Sequence, residues 1–120
     1  MALLLIIDEE RDACALMKRV LIRNGYSVAT FTRSMDALKW LEDHSPDLSI
    51  VSAGKHGEKA KEFLGLLNKA GVEGTDIVLS AGVGSLAGVR KTFAGVVRDV
   101  LVKPVDLENL EALVRSSVSH

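Results

Sequence analysis

Apolar positions along this chain follow two rhythms that take turns. Leu3 to Ile7 is an unbroken apolar run ended by Asp8, Glu9 and Glu10, the pattern of a strand covered on both faces. The next segment spaces Ala13, Leu16, Met17, Val20 and Leu21 at helical intervals, and Asn24-Gly25 supplies a left-handed stop. Tyr26 to Phe31 is rich in β-branched residues and predicts a second strand. Ser34 is placed to cap a helix carrying Ala37, Leu38 and Leu41, and Pro46 closes that unit. Leu48 to Val51 predicts a third strand, followed by a Gly-Lys-His-Gly loop and a helix with Ala60, Phe63, Leu64 and Leu67 on one side, ended at Gly71. Ile77 to Leu79 predicts a fourth strand, and Ser85 to Phe93 a Gly/Ala-rich helix of low intrinsic propensity. Val96 to Val102 predicts a fifth strand; Asp106 is placed to cap a last helix whose Leu107, Leu110, Leu113 and Val114 face inward.

Five strands alternating strictly with five helices give a parallel sheet, because each helical crossover returns the chain to the same edge with a right hand. Helices then cover both faces, and ligands sit at the carboxyl ends of the strands. The residues that follow each strand therefore carry the chemistry: Asp8-Glu9-Glu10, Thr32, Ser52-Ala53-Gly54, Ser80-Ala81-Gly82 and Lys103-Pro104.

Composition narrows the classes. A length of 120 residues suits one domain, residues 1–120, either a whole protein or a piece of a larger one. With 48% apolar and 26% charged residues the chain is too rich in Leu, Val and Ile to be disordered. Fifteen basic against sixteen acidic residues leave a net charge of -1, so no overall positive field exists to collect nucleic acid or anionic lipid. Cys14, the single cysteine, can form neither an internal disulfide nor a zinc site alone, which fits a reducing, cytoplasmic setting. The opening MALLLII stops at acids and lacks a basic segment before it, unlike a signal peptide; no apolar run reaches the roughly 18 residues of a membrane span.

Four fragments carry a family resemblance: IIDEE at the end of strand one, PDLSIV approaching the end of strand three, VLSA at strand four and DVLVKPVD at strand five. Together, at this spacing, they resemble the CheY-like receiver domain of bacterial response regulators, from about Leu3 to Val118. The resemblance implies a flavodoxin-like sheet of order 2-1-3-4-5. It also implies phosphoryl transfer from a histidine kinase to an Asp at the end of strand three, with magnesium held by that Asp and the strand-one acids. The acceptor position falls on Ser52. A carboxylate there is an ionised nucleophile at neutral pH and a hard anionic ligand for magnesium, and serine is neither. Its hydroxyl would need an adjacent base, for which Asp8 and Glu9, both carboxylates, are weak candidates at neutral pH.

The pocket implied by the resemblance is Asp8, Glu9, Ser52, Ser80 and Lys103, with Asp8 and Glu9 as weak or vestigial magnesium ligands and no other cofactor. Asp8 and Glu9 against Lys103 leave a formal charge of -1 where the family's three acids and one lysine give -2, so Lys103 nearly neutralises the pocket unaided. The aromatic switch position of strand five maps to Val100, which has no ring to bury and a stiff χ1. These departures lead to a pseudo-receiver, a binding module and not an enzyme. By resemblance, helix four, strand five and helix five form its output and weak homodimer face, carrying Arg90, Lys91, Arg98, Asp99, Glu108, Glu111 and Arg115. Its partners are expected among signalling proteins or a fused effector or kinase domain, with neither nucleic acid nor membrane. Two alternatives stand beside it: a receiver phosphorylated at an unorthodox residue, and a small nucleotide- or cofactor-binding α/β protein using Gly82-x-Gly84-x-x-x-Gly88.

Plainer readings lead for the remaining residues. Asp8 and Glu9 can be solvated acids, and Lys103 their ion-pair partner. Pro104 is placed for the family's cis peptide. His44 and His120 are expected at the surface, and His56 near Glu9 makes a poor metal motif. Trp40 and Leu41 read as packing, Cys14 as a buried or half-buried thiol, and the Gly82–Gly88 stretch as small residues allowing close helix packing or a loosened fourth helix.

Overall fold

The computed structural model of the protein describes residues 2–72 and 75–118. The elements run β1 (Leu3–Ile7), α1 (Arg11–Arg23), β2 (Ser27–Phe31), α2 (Ser34–Leu41), β3 (Leu48–Ser52), α3 (Glu58–Ala70), β4 (Asp76–Gly82), α4 (Leu86–Thr92), β5 (Asp99–Lys103) and α5 (Leu107–Val118). The strands form one parallel sheet in the order β2-β1-β3-β4-β5, the flavodoxin-like winding. Successive side chains of each strand point to opposite faces, so the continuous apolar runs feed two cores. Leu5, Ile7, Val51, Leu79 and Val100 meet Ala37, Leu41, Phe63 and Val89 from α2, α3 and α4. Leu4, Ile6, Leu48, Ile50 and Val78 meet Met17, Leu21, Leu110 and Val114 from α1 and α5. Among the described residues no helix is long and apolar enough to cross a membrane.

Local signals act where their chemistry is strong. Gly25 and Gly71 take positive φ at the ends of α1 and α3. Asp106 accepts the Glu108 and Asn109 amides at 2.9 and 3.1 Å on one carboxylate oxygen, capping α5. Other expectations shift. Ser34 is the first residue of α2, not its cap; Arg33 holds the cap position and makes no side-chain cap bond. Leu16 stays 48% exposed, since the inward stripe of α1 runs through Cys14, Met17 and Leu21 and leaves position 16 on the shoulder.

The last third departs most. β4 extends from Asp76 to Gly82, because Ala81 and Gly82 still pair with Val102 and Lys103. β5 begins at Asp99 and not at Val96: the Val96 and Val97 amides both bond back to the Phe93 carbonyl, so the chain is still turning there. α4 keeps only seven residues. A Cβ added at Gly82, Gly84 or Gly88 would meet nothing within 4 Å, so these glycines do not serve close packing; the loosened helix is what they accompany. His120 lies outside the described residues.

Candidate functional site

The carboxyl ends of β1, β3 and β5 converge on one chain of contacts. Asp8, directly after β1, is 1% exposed, so it is no solvated acid. Its amide donates to the Phe31 carbonyl at 3.0 Å. One carboxylate oxygen accepts the Glu10 amide at 3.0 Å, and the other faces the Lys103 ammonium at 3.2 Å. Lys103, the last residue of β5, also donates to the Ser52 hydroxyl at 2.7 Å. Ser52, the last residue of β3 and buried, donates in turn to a Glu9 carboxylate oxygen at 3.3 Å. The sequence of contacts is thus Asp8, Lys103, Ser52, Glu9. Sheet register explains the convergence: Ser52 lies beside Ser80, and Gly82 beside Lys103, whose long side chain reaches back over β4.

Ser80 completes the predicted set. It is 1% exposed, and its hydroxyl has no hydrogen-bond partner among the described residues. A crevice of about 290 Å³ opens over these residues, lined by Glu9, Ser52, Lys55, Ser80, Ser85 and Lys103. Val100 sits one layer below, buried in the core beside Leu79, where it fills space as an aliphatic side chain. The Lys103-Pro104 peptide is cis.

The donor set does not fit a magnesium ion. A divalent ion wants several hard oxygens with negative charge and no competing cation. Both oxygens of Asp8 are engaged, one Glu9 oxygen holds Ser52, and the Lys103 ammonium stands between the acids. Among the described residues, no group of three or more His, Cys, Asp and Glu side chains is arranged to hold a metal. His56 is exposed on the β3–α3 loop, where its amide bonds Glu58. His44 is exposed too, with its ring stacked on Trp40 at 4.3 Å and Nδ1 at 2.8 Å from the Trp40 carbonyl.

Two residues that sequence reasoning missed fix the loop beside the crevice. The Glu58 carboxylate accepts the His56 and Lys55 amides, each at 2.8 Å; the His56 amide first, then its own amide and that of Lys55, hold its carboxyl below the ordinary range. Gly54 takes φ +84° here, and a Cβ at that position would run into the Glu58 carboxylate. Ser85, just before α4, donates its hydroxyl to the Lys55 carbonyl and ties this loop to the start of α4. The legible sign was an acid placed directly after Gly57 at a helix start. Beneath the site Cys14 is buried, its thiol 3.4 Å from the Asp8 carbonyl; burial first, then the Asp8 charge, pushes its pKa up.

Comparison with known proteins agrees with the geometry. Residues 4–115 match the family described as response regulator receiver domain. The transcriptional regulatory protein KdpE of Mycobacterium tuberculosis, in two strains, is 30% identical over 118 residues, 98% of this chain and 51% of that protein. The chain therefore spans about half the length of the curated relatives it matches. Among solved structures, the Francisella response regulator 1452 receiver domain superposes with a TM-score of 0.82 at 16% identity, covering 98% of this chain and 96% of that one. The chemotaxis response regulator CheY4 of Vibrio cholerae gives 0.82 at 21% identity, covering 98% and 99%. Strand order, the convergence of Asp8, Ser52, Ser80 and Lys103 at the strand ends, and the match over residues 4–115 lead to one conclusion: this chain belongs to the response regulator receiver domain family of two-component signalling.

Proposed function

We propose that this receiver domain works as a pseudo-receiver, passing signals by protein contact without accepting a phosphoryl group and without enzymatic activity. The observation that carries the reading is the state of Ser52, whose hydroxyl accepts a hydrogen bond from Lys103 and donates one to Glu9. A serine nucleophile needs a base that removes that proton as the new bond forms, and a carboxylate 3.3 Å away is a weak one at neutral pH. Lys103, paired with buried Asp8, acts here as a donor. The partners are a kinase, an effector or a fused domain of a cytoplasmic signalling system. They would meet the face of α4, β5 and α5, where Val96 and Val102 are exposed among Arg90, Lys91 and Asp99; a weak homodimer would use the same face. Incubation with acetyl phosphate and magnesium, read by intact mass, should leave the chain unmodified. A stoichiometric phosphate adduct on Ser52 would overturn the reading in favour of an unorthodox acceptor.

A further inference from the structure

We infer that the Lys103 ammonium is the pocket's resident cation, occupying the electrostatic role of a divalent ion and competing against one. The inference rests on the same reading of Ser52 and extends it from phosphate to metal. Asp8 is the starting point. A carboxylate that is 1% exposed cannot be left without a counter-charge, since water does not reach it to solvate the anion. Its two oxygens meet one amide and one ammonium, and the ammonium supplies the whole positive charge. Lys103 then spends a second proton on Ser52 at 2.7 Å, which fixes the cation between β1 and β3. A third carboxylate at position 52 would add a negative charge that one ammonium could not balance, creating demand for a further cation. The serine hydroxyl removes that demand.

Cation binding therefore depends on the balance between Lys103 and the residue at 52, and either change should shift it. In the wild-type chain, magnesium chloride added at constant ionic strength should produce no saturable movement of the amide resonances of residues 8–10, 52–54 and 103, and no rise in melting temperature. Lys103→Met keeps the length of the side chain and removes its charge. Its buried Asp8 then lacks a partner, so magnesium should raise its melting temperature saturably, binding at least about tenfold tighter than to wild type, as removal of a positive charge at about 4 Å predicts. Ser52→Asp, which keeps Lys103 and adds the third acid, should gain the same saturable response, and decides the matter if Lys103→Met does not fold.

Saturable wild-type binding at low millimolar magnesium would overturn the inference, as would the absence of any gain in Ser52→Asp. The mass measurement above separates the two proposals. A phosphate adduct in a chain that still takes up no magnesium would remove the reading of Ser52 as inert and support the role of Lys103.

Discussion

The half of the sheet built on β1 and β3 and the half built on β4 and β5 hold their side chains in different ways. Around β3 every position of the strand is buried, Phe63 closes the core above it, and the strand end is tied by Lys103 and Glu9. At the other edge α4 has seven residues, glycines 82, 84 and 88 face open space, and Val83, Val96 and Val102 lie in solvent at 76%, 59% and 41% exposure. The first half has little room to change. The second is as buried along β4 but looser at its rim, where the short α4 and the segments on either side of it have few contacts to break.

The sharpest way to break this contrast is a cavity in the tight half. Phe63 is fully buried, and Phe63→Ala should cost about 3–5 kcal/mol in chemical denaturation. A loss under about 1 kcal/mol would mean that this half is no better packed than the edge. A smaller effect of opposite sign is expected in α4. Gly88→Ala adds a Cβ that meets nothing and removes backbone freedom from the unfolded chain, so it should stabilise by about 0.5–1 kcal/mol. Destabilisation instead would show that α4 is packed closely after all.

The smallest effect is local and pH-dependent. The Glu58 carboxyl is held below the ordinary carboxylate range by the amides it accepts, so its contribution is complete at neutral pH and lost as pH falls through that lowered value. In an acid titration the Lys55 and His56 amide resonances should move together, with one inflection below the ordinary range, and stay flat in Glu58→Gln. An inflection at or above the ordinary range would show that the amide bonds do not favour the ionised form.

What could be read from the chain divides along the same line. Leu3–Ile7 and Leu48–Ser52 could be read as strands because each is short and bounded, one by acids and one by a Gly-rich loop; alternation with helices made them parallel, and their neighbours on the sheet followed from the family resemblance. The end of β4 and the start of β5 could not be read this way, because Ala81, Gly82, Val96 and Val97 suit a strand or a turn, and tertiary pairing chose between them. For the site, strand-end position gave the residues that follow each strand, and the family resemblance singled out Asp8, Glu9, Ser52, Ser80 and Lys103 among them. Sequence could not show that Asp8 loses contact with water or that Lys103 reaches both Asp8 and Ser52, since those depend on how neighbouring strands stagger. Glu58 and Ser85 went unseen for a related reason: their partners are backbone groups, which every residue possesses.

The Asp8–Lys103 ion pair also bears on how such chains drift over generations. With serine at position 52, replacing Lys103 by an uncharged residue would strand the buried Asp8 carboxylate without a counter-charge, so folding alone favours keeping the pair. An acid after β1 and a lysine at the end of β5 therefore have a sufficient reason to stay in stability alone, whatever reaction the pocket performs.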